Sequence, residues 1–76
     1  MIVFTYLSTE QIAQLDQFDQ QQLSYVLTVC QRHQSMAAAG RELFDVSRQA
    51  KAQVNDSSRL QKYLAKFGLK WADIQG

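Results

Sequence analysis

The chain has 76 residues, of which 46% are hydrophobic and none is proline, a composition that favours one small helical domain over a sheet-rich fold. The single cysteine, Cys30, excludes an intramolecular disulfide and fits a reducing cytoplasm, and the apolar N-terminal run is too short for a membrane span and lacks the basic start of a signal peptide. The net charge of +1 is uneven, because all eight Lys and Arg residues lie in residues 32–76, so we expect an anionic partner on that half.

Residues 1–7 are expected to form an N-terminal arm, and residues 8–76 a helical domain. The apolar arm is compatible with a short strand, with an arm exchanged between subunits, or with the remnant of a longer reading frame. For residues 8–76 the pattern predicts an all-α fold of four to five helices, with a helix-turn-helix over residues 36–67.

Two capping signatures divide the N-terminal part of this domain. Ser8 begins the first helix, and Gln11 three residues later completes a possible capping box. The helix is expected to end near residues 17–18. Asp19 repeats the signature, so the next helix is expected to run from about Gln20 to His33.

The predicted helix over residues 20–33 has apolar side chains on two neighbouring faces. A core this small covers one face readily, so the second face favours packing against another subunit and hence a homodimer. The expected subunit contacts are Leu23, Tyr25, Val26 and Val29.

Residues 36–67 have the features of two closely crossing helices. Small residues over 37–40 allow a neighbouring helix to approach, and Ser47 is expected to cap a short helical piece over 47–54. The last long helix has a capping residue at Asp56 or Ser57 and ends at Gly68, which suits a left-handed C-cap. Its apolar stripe has helical spacing and consists of Leu60, Tyr63, Leu64 and Phe67.

Two segments, AAAGRELFDVSR at 37–48 and RLQKYLAKFGL at 59–69, resemble the Fis-type helix-turn-helix. This module ends many bacterial enhancer-binding proteins, the activators of sigma-54 polymerase. Further runs, among them LDQFD at 15–19 and VCQR at 29–32, extend the resemblance over about residues 15–71. In this order they are similar to the C-terminal segment of the RtcR family, the regulators of the RNA-repair operon.

The resemblance implies a sequence-specific, double-stranded DNA-binding domain of a bacterial transcriptional regulator, cytoplasmic and associated with the nucleoid when bound. Two features depart from the family pattern. The phosphate loop of the regulators' ATPase is absent, so the chain is expected to lack its own ATPase. About ten extra residues over 49–58 separate the two helices, which leaves open whether 47–54 or 57–67 enters the groove; the second has the stronger apolar stripe.

The contacts to DNA follow from placing residues 57–67 in the major groove. Arginine can pair with guanine, and glutamine with adenine, through two hydrogen bonds each. The expected base contacts are Ser58, Arg59, Gln61 and Lys62. Flanking residues are expected to contact phosphates, which hold the register without reading the sequence; they are Arg41, Arg48, Lys51, Ser57 and Lys66.

An enzyme is the weaker hypothesis. Cys30 and His33 share a helix face, but two ligands are too few for a zinc site, and the sequence has no other Cys or His. We therefore expect no catalytic residue, metal, cofactor or small-molecule substrate. The alternative function is a protein-interaction or dimerisation module without direct nucleic-acid binding, which the two-sided apolar helix over 20–33 would support.

Overall fold

The structure, a computed structural model, describes residues 2–46 and 56–75, which form six helices and no strand. The all-α prediction is therefore confirmed, with more and shorter helices than the four to five expected. The helices are α1 (Val3–Tyr6), α2 (Thr9–Ala13), α3 (Gln17–Arg32), α4 (Met36–Leu43), α5 (Asp56–Ala65) and α6 (Trp71–Gln75). The short helix predicted over 47–54 lies outside the described residues.

The N-terminal residues form the helix α1, where the sequence analysis considered a strand, an exchanged arm or a remnant. Val3 is completely buried in the hydrophobic core. The side chain of Tyr6 links three helices, because its Oη accepts a hydrogen bond from Gln31 Nε2 at 2.7 Å and donates one to the Ile74 carbonyl oxygen at 3.4 Å. A helix of four residues is too short to show a 3.6-residue period, so the pattern did not reveal it.

The capping box that begins α2 is confirmed. The Ser8 hydroxyl accepts from the Gln11 backbone N–H at 3.1 Å, and Gln11 Oε1 accepts from the Ser8 N–H at 2.8 Å. These two bonds satisfy backbone donors that the first turn of a helix leaves unpaired.

The boundary between α2 and α3 lies earlier than predicted. α2 ends at Ala13, and Asp16 has an extended backbone, so α3 begins at Gln17. The side chain of Gln20 donates to the carbonyl oxygens of Ile12 and Leu15, at 3.3 and 3.0 Å. A glutamine of the following helix thus ties the turn after α2 to the start of α3, and its contact with Ile12 spans eight positions, which local capping patterns do not reveal.

α3 is the central helix, and it packs against α1, α4 and α6. Its buried residues are Leu23, Val26, Leu27, Val29 and Cys30. The main apolar face is therefore covered within one chain, whereas on the neighbouring face Val29 is buried and Tyr25 is exposed. Of the expected subunit contacts, Leu23, Val26 and Val29 are buried in the core of the single chain.

α4 and α5 cross closely at Gly40, as the small residues of α4 predicted. A Cβ atom placed on Gly40 would lie 2.8 Å from Asp56 Cβ and 3.0 Å from the Asp56 carbonyl carbon and oxygen. Ser35 caps α4, since its hydroxyl accepts from the Ala38 N–H at 3.1 Å. At the far end of α5, Gly68 has a φ of 73°, which is the left-handed C-cap expected there.

Candidate nucleic-acid interface

α5 has a buried side and an exposed side that differ in chemistry. Asp56, Leu60 and Leu64 are spaced four residues apart and are buried. At 3.6 residues per turn, Ser58 and Lys62 lie on the opposite side, where Lys62 is exposed and Ser58 is partly exposed. The core therefore fixes α5 with a polar surface directed outward.

Three of the four predicted base contacts share this surface. Gln61 is exposed and lies three residues after Ser58, which places it beside Ser58 and Lys62. Ala65 is also exposed, four residues after Gln61, and the sequence analysis missed it because alanine gives no charge or hydrogen-bonding signal. We call Ser58, Gln61, Lys62 and Ala65 the outer face of α5.

Arg59, the fourth predicted base contact, lies at the border of the outer face and is partly buried. Its Cζ atom is 4.0 Å from the centroid of the Phe44 ring, a distance typical of a stacked cation–π contact. Phe44 follows the last residue of α4 and packs against the hydrophobic core. The contact therefore couples the end of α4 to the first half of α5, which spacing along the sequence could not indicate.

Lys66, a predicted phosphate contact, follows α5 and is exposed. Its Nζ atom is 5.4 Å from the Tyr63 ring centroid. The Tyr63 ring packs edge-to-face on Phe67 at 5.3 Å, and burial raises the pKa of its hydroxyl, with a further contribution from Asp19. Lys66 thus lies over a ring that packs against the hydrophobic core.

The remaining predicted phosphate contacts are distributed over several elements. Ser57 is partly exposed in the first turn of α5, and Arg41 is exposed on α4. Arg48 and Lys51 lie outside the described residues. The structure therefore brings Ser57 together with the outer face, whereas Arg41 belongs to the neighbouring helix.

An ion cluster that the sequence analysis missed joins the end of α3 to α4. Glu42 accepts from Arg32 Nη2, and its Oε1 lies 2.7 Å from His33 Nε2. The hydrogen bond from His33, followed by the charges of Arg32 and His33, holds the pKa of Glu42 below its usual value of 4.5. Glu42 lies ten positions after Arg32 and nine after His33, on a different helix, so no helical spacing connects it to them.

Cys30 has the properties of a core residue. It is completely buried, and burial raises its pKa from 9.0 to about 11, so the thiol is protonated at neutral pH.

Over residues 2–46 and 56–75, the His, Cys, Asp and Glu side chains form no group that could hold a metal ion. No helix in the same ranges is long and apolar enough to cross a membrane.

Tyr25 is the one predicted subunit contact that remains accessible, with 57% of its surface exposed. Phe18, seven residues earlier on the same side of α3, is 72% exposed. The sequence pattern predicts a helix end near residues 17–18, which separates Phe18 from Tyr25, so the pattern does not associate these two aromatic residues.

Comparison with known proteins shows the family of the chain. The family model of the RtcR C-terminal DNA-binding domain matches residues 1–74. The chain belongs to this family. A relative, the transcriptional regulatory protein RtcR of Escherichia coli (strain K12), is 57% identical over 61 residues, which are 80% of this chain and 12% of the relative. No solved structure matches the chain.

Membership of the RtcR family gives the general function of the chain. The chain is a DNA-binding domain of a transcriptional regulator, as its resemblance implied. The match assigns residues 1–74 to DNA binding, so the matched part of the chain is not a catalytic domain. It also includes residues 1–14, which the resemblance had left out and which contain α1 and α2.

Proposed function

We propose that α5 is the recognition helix of this RtcR domain and that its outer face enters the major groove of double-stranded DNA. The observation that carries this proposal is the orientation of α5, which buries Leu60 and Leu64 and leaves Gln61 and Lys62 exposed. A recognition helix needs such a surface, because side chains must reach base edges while the core holds the helix in place.

The chemistry of the outer face, and of Arg59 at its border, supports recognition of specific bases. Gln61 can pair with the N6 and N7 atoms of adenine, and Arg59 with the O6 and N7 atoms of guanine. Lys62 can donate to guanine, and the Ser58 hydroxyl can donate or accept. Together these residues form the proposed sequence-reading set.

Phosphate contacts would orient α5 in the groove. Ser57 lies in the first turn, where backbone N–H groups and the helix dipole favour an anion. Lys66 follows the helix, and Arg41 extends the cationic surface onto α4. We keep Arg48 and Lys51 in this group on the basis of their sequence position alone.

The domain is proposed to bind DNA as a homodimer through the side of α3 that exposes Phe18 and Tyr25. Helix-turn-helix proteins commonly read two half-sites with two subunits, and two large exposed aromatic side chains suit a self-complementary contact. The same surface favours the second candidate function, a protein-interaction module. The two functions differ in their dependence on the outer face of α5.

The chain spans 12% of the length of its curated relative, so the activity of a whole regulator is a separate proposal. We propose that it supplies the DNA-binding end of a sigma-54 activator whose ATPase lies outside this chain. It would then act in the bacterial cytoplasm, on the nucleoid.

The proposed function can be tested by fluorescence anisotropy with a labelled duplex from around a sigma-54 promoter and a scrambled duplex, at about 50 and 200 mM salt. Lys62→Ala should weaken binding and reduce its salt dependence or its preference for the promoter duplex. Lys70→Ala is the matched control, because Lys70 is an equally charged, exposed residue beyond α5. Equal effects of the two substitutions, or no binding by the unchanged chain at low salt, would contradict the proposal.

A further inference from the structure

We propose that Phe44 is a positioning residue for DNA recognition, because its ring holds the Arg59 guanidinium in the orientation that reads a guanine. This inference rests on the proposed function of α5 and adds a residue that does not itself contact DNA. The observation behind it is the 4.0 Å distance from Arg59 Cζ to the Phe44 ring centroid.

The backbone of Phe44 is held next to the close crossing of α4 and α5. Phe44 is the C-cap of α4, and its backbone N–H donates to the Gly40 carbonyl oxygen at 3.0 Å. Gly40 in turn lies against Asp56, the first residue of α5. Arg59 lies three residues after Asp56 in α5. The close crossing of the two helices therefore positions both Phe44 and Arg59.

Stacking on an aromatic ring leaves the hydrogen-bonding edge of arginine available. The guanidinium group is planar, and its five N–H donors point outward in that plane. Contact through the flat face therefore restricts the side chain without using its donors. A guanine needs two of these donors side by side for a bidentate pair.

Restriction before binding strengthens recognition, because a flexible arginine loses rotamer freedom when DNA immobilises it. The Phe44 ring would remove part of that loss in advance. Lys66 beside Tyr63 provides a comparison: the distance is 5.4 Å, and an ammonium group has no planar fork to orient. We therefore expect the Phe44 ring to influence the base preference of the domain, and the Tyr63 ring not to.

The inference is tested by selecting bound duplexes from a pool with a randomised central segment, using the 76-residue chain and its variants. In the unchanged chain, one position should favour guanine by about 5-fold to 100-fold, the range expected of one bidentate pair. Arg59→Ala should abolish that preference. Phe44→Leu should reduce it at the same position by about 2-fold to 5-fold, the size of an exposed cation–π contact, and Phe44→Tyr should restore it.

A double-variant cycle separates positioning from a general structural role. Phe44→Leu in the Arg59→Ala background should cause no further loss of preference at any position. Circular dichroism melting of every variant identifies those that are folded at the binding temperature. A loss that is spread over all positions, or that persists without Arg59, would overturn the positioning role while leaving the proposed function intact. If the unchanged chain shows no guanine preference and no salt-sensitive binding, the proposed function fails as well.

Discussion

Replacing Gly40 by alanine tests whether the close crossing of α4 and α5 holds the recognition helix in place. The new methyl carbon would lie 2.8 Å from Asp56 Cβ and 3.0 Å from two backbone atoms of Asp56. Ordinary van der Waals contacts between carbon atoms need about 3.5–4.0 Å. One helix must therefore move away from the other by several tenths of an ångström or more.

The expected loss of stability combines two opposite effects. Overpacking costs about 1–3 kcal/mol, and we expect the upper part of this range because the two backbone atoms of Asp56 cannot rotate away. Alanine is more favourable than glycine inside a helix by about 1 kcal/mol, which offsets part of the cost. The net loss of about 1–2 kcal/mol would lower the melting temperature by about 5–15 °C for a domain of this size.

Thermal unfolding followed by circular dichroism measures this loss, and DNA anisotropy at a temperature where the variants are folded measures its effect on function. Gly68→Ala is the matched control, since its Cβ meets nothing within 4 Å and its cost comes from the φ of 73° alone. We expect both variants to be less stable, but only Gly40→Ala to shift α5 against α4 and weaken DNA binding. A higher melting temperature for Gly40→Ala would refute the packing argument.

Three further predictions concern groups away from the outer face of α5. Glu42→Gln should lower the melting temperature at pH 7. Because the pKa of Glu42 is lowered in the folded state, its stabilisation is present when the pH is above the usual pKa of the group and is lost as the pH falls through the lowered pKa. The melting temperatures of the two chains should therefore converge in acid. Cys30, with its pKa raised to about 11, should react slowly with iodoacetamide in the native chain and rapidly in urea; fast native labelling would contradict its burial. Tyr6→Phe should cost about 0.5–1.5 kcal/mol through its lost hydrogen bonds, whereas Phe4→Tyr at an exposed site of the same helix should be nearly neutral.

Features encoded within a few consecutive residues could be predicted from the sequence. The Ser8 capping box needs only the Gln11 side chain three residues later, and the end of α5 needs only a residue that accepts a positive φ. The close approach at Gly40 followed from residue size alone. The exposed side of α5 followed from the 3.6-residue period of its apolar stripe, which places Lys62 outward once Leu60 is inward.

Contacts between distant residues limited the rest of the prediction. The boundary before α3 depends on Gln20, whose side chain reaches back to the carbonyl groups at the end of α2. The stacking of Arg59 on Phe44 spans 15 positions and two helices, and the pattern of α5 gives no sign of it. For the same reason the sequence could propose Arg59 as a base contact, but could not show what holds its guanidinium group.

The two faces of α3 show why the assignment of a subunit interface needed the whole fold. Helical spacing placed Leu23 on an apolar face of α3. It could not show whether that face would be covered by the same chain or by a second subunit. The cover comes partly from the ends of the same chain, because α1 and α6 both pack on α3. A dimer that uses α3 is then limited to the side with Phe18 and Tyr25, so Tyr25→Ser should weaken self-association without loss of stability. Leu23→Ala cannot make that distinction, since removing a completely buried leucine side chain costs about 2–5 kcal/mol and unfolds much of a small domain whether or not a dimer forms.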